Sequence, residues 1–407
     1  MMSKTIKVCV DARLRSSYYG GVEQFIIGLA HGLTQLNPPG IDIKYLVEEG
    51  EEAWLTPYIN APVQFIYPSR SMLGSTTGWR AWAKRKLPMV KRLWHESSLL
   101  PVSIPRSDGT IERHEVDVLH FAKQDGFLTD LPTIYQPHDL QHLHLPEFFT
   151  PREQRVREKQ YRTFCHRARK IVVVSQWIKE DLIQQYELPQ EKIEIIRYAP
   201  PLSTYRDVTT SDLASVTQTY DLPVAFVFYP AQTWEHKNHI RLLEAIHKLR
   251  IDHGVRVSFV STGSKNEHFA NVWKKVEALQ LEDQVHFLGF VSPTTIYALY
   301  KLATMVVIPT LFEAASFPMW EAFLAGTPVA CSNVTSLPDQ AGDAAVIFDP
   351  YDVASIAEAI HRLWSSNDAR AQLVEAGTKR VAALSWVKTA EEFCVLYEQI
   401  SNNCKFR

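Results

Sequence analysis

Residues 304–331 read TMVVIPTLFEAASFPMWEAFLAGTPVAC, and one carboxylate stands on each side of the turn they contain. Met305–Ile308 is a continuous apolar run rich in β-branched residues, as a strand covered on both faces requires. Pro309 stops it. Pro318 falls where a first helical turn should begin, a position without an intrahelical N–H bond in any case, and Trp320, Phe323 and Leu324 follow at helical spacing. Thr327-Pro328 is expected to end the helix, and Val329–Cys331 reads as the next parallel strand. Buried strand, loop, helix, buried strand is the repeating unit of an α/β fold with a doubly wound parallel sheet.

Backbone N–H groups at a helix start favour anions, so the loop Ala314–Phe317 is suited to a phosphate or a polarised sugar oxygen. Two carboxylates beside a phosphate would repel it. Glu313 and Glu321 make sense there only as acceptors from neutral hydroxyls, which points to a ligand carrying both phosphate and sugar. The ordinary alternative is that Glu321 complements the helix dipole and Glu313 is a solvated loop residue.

Working outward, short apolar strands alternate with helical patterns twice over, as two doubly wound sheets would. The first set is Ile6–Val10, Ile41–Val47, Val63–Ile66, Val116–Phe121, Thr133–Gln136, Ile171–Val174 and Ile193–Ile196. Leu202–Leu222 reads as a linker with a short helix. The second set is Ala225–Tyr229, Arg256–Val260, Val285–Leu288, Met305–Ile308, Val329–Cys331 and Ala345–Phe348, followed by helices at Asp352–Trp364 and Ala369–Leu384.

Composition agrees. A chain of 407 residues suits two or three domains, and 46% apolar with 22% charged residues is ordinary for a globular enzyme. A net charge of −2 gives no polyelectrolyte signal, so nucleic acid is not an expected partner. The cysteines Cys9, Cys165, Cys331, Cys394 and Cys404 lack CxxC spacing, which argues for a reducing compartment and against zinc or a disulfide framework. No apolar run approaches a membrane span, and MMSKTIKVCVDAR reads as a strand start, so a cytoplasmic protein is expected.

Ligands of open parallel sheets bind beyond the carboxyl ends of the strands. Three loops there carry polar groups. Gly20-Gly21 opens a helix over Gln24–Leu36, where two glycines let a ligand approach the backbone. A lone Gly-Gly is also an ordinary turn. His138, in Gln136-Pro137-His138-Asp139, closes a strand, a place where a histidine before an aspartate is commonly a turn element. His142 and His144 alternate with leucines, but no carboxylate or cysteine is spaced to complete a metal site. In Gln232-Thr233-Trp234-Glu235-His236-Lys237-Asn238, Asn238 is expected to cap a helix over His239–Leu249, leaving Lys237 at its mouth to neutralise a diphosphate.

The string PTLFEAASFPMWEAFLAGTPVACSNVTSLPDQAGDAAVIFDP, residues 309–350, resembles the C-terminal signature of the retaining glycosyltransferases of family four. That signature is a Glu, seven residues, Glu motif, then Ala-x-x-x-Gly-Thr-Pro-Val and a later Ala-Gly-x-Ala-Ala. Glu313 and Glu321 match the pair. Ala322–Val329 and then Ala341, Gly342, Ala344 and Ala345 match the rest. The resemblance implies a GT-B fold, two Rossmann-like doubly wound domains facing across a cleft. The expected boundaries are 1–200 for an acceptor domain, 201–222 for a linker, 223–384 for a nucleotide-sugar domain, and 385–407 for a helix crossing back to the first domain.

It also implies roles. His138 would contact and orient the transferred sugar, Glu313 would hold sugar hydroxyls and Glu321 ribose hydroxyls, and Lys237 would grip the donor β-phosphate. Gly20, Gly21, Gln232, Val291, Ala315, Ser316 and Phe317 would complete the donor site. The donor would be GDP-mannose or a UDP-sugar, with a mannose-like sugar favoured. The acceptor would be a hydroxyl of a glycan or lipid-linked glycan. No cofactor or metal is expected, since no Asp-x-Asp occurs where a catalytic metal would be held.

Two departures stand out. Gln232 lies near the place of the family's usual arginine, with His236 beside it to compensate. Glu313-Ala314-Ala315-Ser316-Phe317-Pro318 replaces Glu-Gly-Phe-Gly-x-Pro, and losing the glycines makes positive φ costly. Residues 79–94, WRAWAKRKLPMVKRLW, combine tryptophans with cations and no acid, a pattern suited to an anionic membrane surface or to a solvated basic helix. Two other readings remain. One is a sugar-nucleotide epimerase of the same fold, and the other a catalytically silent glycan-binding scaffold.

Overall fold

The computed structural model describes residues 5–14, 20–60, 63–68, 102–201 and 208–404. The chain divides into two compact units: residues up to Tyr198 together with those from Trp386 onward, and Ala199–Ser385.

The first unit is built on a seven-stranded sheet in the order β3-β2-β1-β4-β5-β6-β7. Its strands are β1 Ile6–Asp11, β2 Ile41–Leu46, β3 Gln64–Ile66, β4 Val118–Phe121, β5 Thr133–Tyr135, β6 Lys170–Val173 and β7 Ile193–Ile195. Every pairing is parallel, with Ile6 opposite Ile41 and Val8 opposite Val118. The second unit holds a six-stranded parallel sheet in the order β10-β9-β8-β11-β12-β13. Its strands are β8 Phe226–Pro230, β9 Ser258–Thr262, β10 Val285–Phe287, β11 Met305–Ile308, β12 Val329–Ser332 and β13 Ala345–Phe348. In each sheet the strand order reverses once, between β1 and β4 and between β8 and β11. Such a switch point leaves a crevice at the carboxyl ends of the strands. Two Rossmann-like α/β halves of this kind are the parts of a GT-B protein.

All of β11 is buried, as its uninterrupted apolar run requires. The helix after it spans Phe317–Ala325 with Pro318 in its first turn. Its end differs from expectation: Gly326, at φ 75°, is the left-handed cap, one residue ahead of the Thr327-Pro328 expected to stop it. The helix expected from Gln24 begins at Gly21, preceded by Gly20 at φ 47°. Within the linker expected at 201–222, residues 202–207 lie outside the described residues. Thr210–Thr219 is a helix whose Thr209 and Asp212 form a reciprocal capping box.

The terminal helix Trp386–Cys404 packs within the first unit against Gly21–Leu36. Gly28 and Gly32 permit this approach. A Cβ on Gly28 would meet the Trp386 ring at 2.0 Å, and one on Gly32 would meet the Trp386 carbonyl oxygen at 2.1 Å. Phe25 closes the seam, 6.1 Å from Trp386 and 6.0 Å from Phe393 between ring centroids.

Candidate donor site

In the second unit, the loops after β8 and β11 flank the switch point, and their backbones are joined. Leu311 N–H donates to the His236 carbonyl at 2.8 Å, and the Thr310 hydroxyl donates to the same oxygen at 3.2 Å. This brings Lys237 Nζ to 2.5 Å from Glu313 Oε2, with both side chains about one-fifth exposed, at 20% and 18%. Two residues 76 positions apart in sequence thus form a largely buried charge pair where a Rossmann-like sheet opens.

Asn238 does not cap the following helix with its side chain, contrary to expectation. It sits in the left-handed region at φ 61°, and its amide donates to the carbonyls of Pro309 and Pro350, each at 2.9 Å. Its oxygen accepts from Arg241 Nη1 at 3.0 Å. Buried in this way, the side chain ties together the loops after β8, β11 and β13. With Nδ2 turned to these two buried carbonyls, which would be costly to leave unpaired, the oxygen that a cap would use is aimed at Arg241 and not at the helix amides. The helix itself extends past Leu249 to His253.

The Glu313–Phe317 loop keeps negative φ throughout, so alanine and serine fit where the related signature has glycine. Gln340 clamps it. The Ser316 N–H donates to Gln340 Oε1 at 2.8 Å, and Gln340 Nε2 donates to the Ser316 carbonyl at 2.6 Å. The Ser316 amide is therefore engaged, not open to an anion as expected. Among the described residues no group accepts from the amides of Ala314 and Ala315, which lie in the loop just before Ser316, the N-cap of the helix Phe317–Ala325. Thr335 holds the other end of the loop, accepting from Glu313 N at 3.1 Å and donating to Glu313 O at 2.6 Å.

A pocket of about 220 Å³ lies between these loops, lined by Tyr229, Gln232, Trp234, Lys237, Glu313 and Ser316 among others. Gln232 Oε1 accepts from the Trp234 indole at 3.0 Å. The hydroxyls of Tyr229 and Ser316 are buried with no hydrogen-bond partner among the described residues. Glu321, Val291, Ala315 and Phe317 do not line this pocket. Glu321 is buried on the helix and accepts from the Tyr300 hydroxyl.

In the first unit, His138 follows β5 with φ 63°, a strained conformation for a residue with a side chain. Its Nε2 lies 3.0 Å from the Ala122 carbonyl, and burial lowers its pKa below the ordinary value. Gly20 and Gly21 stand at the start of a helix in the same unit. His142 and His144 each find a carboxylate that spacing did not disclose: Glu158 at 3.3 Å and Asp181 at 2.8 Å. These are separate pairs. Among the described residues no group of three or more His, Cys, Asp or Glu side chains comes together.

Sequence reasoning missed Asn238 as a cross-link, and also Gln340, Thr335 and Tyr229. Only the return of distant strands to the same sheet end brings these to the site.

Two sequence profiles match the chain: Glycosyltransferase Family 4 over residues 19–198, and Glycosyl transferases group 1 over residues 220–380. O-antigen chain mannosyltransferase B of Escherichia coli is 28% identical over 250 residues, 61% of this chain and 65% of that protein. MMP alpha-(1->4)-mannosyltransferase of Mycolicibacterium hassiacum is 26% identical over 254 residues, covering 56% of this chain and 61% of its own length. The chain thus spans less than two thirds of these curated relatives. Among solved structures, Anabaena HepE in complex with UDP and glucose superposes with a TM-score of 0.70 at 17% identity, covering 97% of this chain and 100% of its own. That likeness concerns the fold. With both halves matched in sequence and the whole matched in architecture, the chain belongs to the group 1 glycosyltransferases, with the GT-B fold.

Proposed function

We propose that this chain is a retaining hexosyltransferase that moves a sugar, with mannose favoured, from a nucleoside diphosphate donor to a hydroxyl of a glycan or lipid-linked glycan. The observation that carries the reading is the Lys237–Glu313 pair at the β8/β11 switch point, beside the open amides of Ala314 and Ala315. An ammonium and loop amides just ahead of a helix suit a diphosphate, and a carboxylate suits sugar hydroxyls. The mannosyltransferase names of two relatives support the choice of sugar, and the UDP complex of a fold neighbour supports the class of donor.

In the proposed reaction the bond from the anomeric carbon to the diphosphate oxygen breaks as the acceptor oxygen attaches on the same face. The acceptor's proton passes to the leaving diphosphate. Lys237 and the loop amides stabilise the charge that develops there, as preorganised dipoles do in a water-poor site. His138 orients the sugar, and Glu321 holds the ribose. No metal is required in this scheme.

The test is to incubate the purified chain with GDP-mannose and with UDP-sugars, together with membrane glycan extracts and with chelator. Nucleoside diphosphate release and the anomeric configuration of the product are then measured by NMR. Retained configuration with chelator present is expected. Inverted product overturns the stereochemistry, a free isomerised sugar nucleotide indicates an epimerase, and binding without turnover indicates a scaffold.

Residues 79–94 lie outside the described residues. We propose that they hold the enzyme on anionic membrane, at about 1 kcal/mol per cation near such a surface. Among the described residues no helix is long and apolar enough to cross a membrane. Vesicle sedimentation should show salt-sensitive binding that charge reversal at Arg85, Lys86 and Arg92 abolishes. Equal binding to neutral vesicles would refute it.

A further inference from the structure

His138 is one end of a continuous hydrogen-bonded chain that crosses the core of the first unit. Tyr397 Oη, from the terminal helix, lies 2.9 Å from His120 Nδ1. His120 Nε2 lies 2.6 Å from Gln136 Oε1, and Gln136 Nε2 lies 3.0 Å from Tyr198 Oη. Tyr198 Oη is 3.5 Å from His138 Nδ1, the longest link, and His138 Nε2 is 3.0 Å from the carbonyl of Ala122. His120, Gln136, Tyr198 and Tyr397 are all buried.

The direction of every bond follows from the Ala122 end. A carbonyl can only accept, so His138 Nε2 carries the proton. In a neutral ring Nδ1 is then an acceptor, and the Tyr198 hydroxyl must donate to it. Having given its proton away, the Tyr198 oxygen accepts from the Gln136 amide nitrogen. That turns the Gln136 carbonyl toward His120, which must present Nε2–H. His120 Nδ1 is then the acceptor for the Tyr397 hydroxyl. Reversing any one member sets donor against donor or acceptor against acceptor. Burial keeps the two rings neutral, pushing His120 down to about 4.

We propose that Tyr198, Gln136, His120 and Tyr397 are positioning residues that hold His138 as its Nε2–H tautomer in one ring orientation, which makes the terminal helix part of the transfer apparatus. The proposal rests on the reading of His138 as the residue that orients the transferred sugar. The left-handed backbone at His138 fits it, since a strained conformation persists where surrounding contacts over-determine it. A side chain anchored at both ring nitrogens supplies that constraint.

The test uses the full chain labelled with ¹⁵N-histidine. Long-range ¹H–¹⁵N spectra should show both His120 and His138 as Nε2–H tautomers. Tyr198→Phe removes one hydroxyl without changing the packed ring. It is expected to release His138 into a mixture of tautomers and to lower kcat about tenfold, roughly one hydrogen bond, with donor KM unchanged. Tyr397→Phe should act in the same direction with a smaller effect. Val172→Ala, which cuts into the buried core of the same sheet away from the hydrogen-bonded chain, should lower stability while leaving the tautomers and the split between kcat and KM alone. A charged or Nδ1–H His138 in the unsubstituted chain overturns the proposal, as does a Tyr198→Phe variant with unchanged tautomer and turnover. If the chain transfers no sugar at all, the functional reading fails, and the tautomer spectra still decide whether the relay exists.

Discussion

Replacing Gly32 with alanine sets two physical effects against each other. Inside a helix, alanine is favoured over glycine by about 1 kcal/mol, so propensity alone predicts a more stable protein. Packing predicts the reverse. The new Cβ would stand 2.1 Å from the Trp386 carbonyl oxygen and 2.6 Å from its carbon, and both atoms are main chain. A side chain can swing aside, but a carbonyl moves only with its helix. The first turn of the terminal helix must therefore retreat by roughly an ångström, loosening the buried residues Trp386, Ala390 and Phe393. Overpacking of this kind costs about 3 kcal/mol at the upper end of its usual range, leaving a net loss of about 2 kcal/mol after the propensity gain. Urea denaturation followed by circular dichroism measures it, with Gln35→Ala on the exposed side of the same helix as control, expected to change by no more than about 0.5 kcal/mol. A Gly32→Ala protein as stable as the parent would refute the close seating of the terminal helix on Gly21–Leu36.

Lys237→Ala and Glu321→Ala should each weaken donor binding by roughly 1–3 kcal/mol, the loss for a hydrogen bond to a charged group. Unchanged affinity by calorimetry in both variants would mean that the donor site is misplaced. Acid should destabilise the fold in a defined window. Burial holds His120 at about 4 and His239 at about 3, against 6.5 for the exposed side chain. Below pH 6.5 the unfolded chain takes up protons that these folded rings refuse, so stability is present in full above that pH and is lost as pH falls toward the folded values. For His120 the full loss is about 3 kcal/mol. A melting temperature that stays flat from pH 6.5 to 4 would show that both rings are more accessible than their packing indicates.

Local chemistry determined a great deal. Two sets of apolar runs, each strand fed by a helix, specify two parallel sheets, because a strand buried on both faces must be apolar at every position. The observed strands fall where those runs lie. The resemblance at 309–350 reached the family, since its proline, glycine and carboxylate spacing belongs to one strand–loop–helix unit. What sequence left undetermined depends on residues that meet only after the sheets form. Asn238 follows Lys237 like an ordinary helix cap, yet it bonds to Pro309 and Pro350 because β8, β11 and β13 end at the same rim. Ser316 looked open to an anion until Gln340 arrived from the next helix to take its amide. The polarity of the chain from Tyr397 to His138 has no signature in sequence, because it depends on one carbonyl, that of Ala122, and on the terminal helix returning to the first unit. Periodicity and spacing record what each segment must bury, whereas the pairing of polar groups across segments is fixed only by tertiary closure.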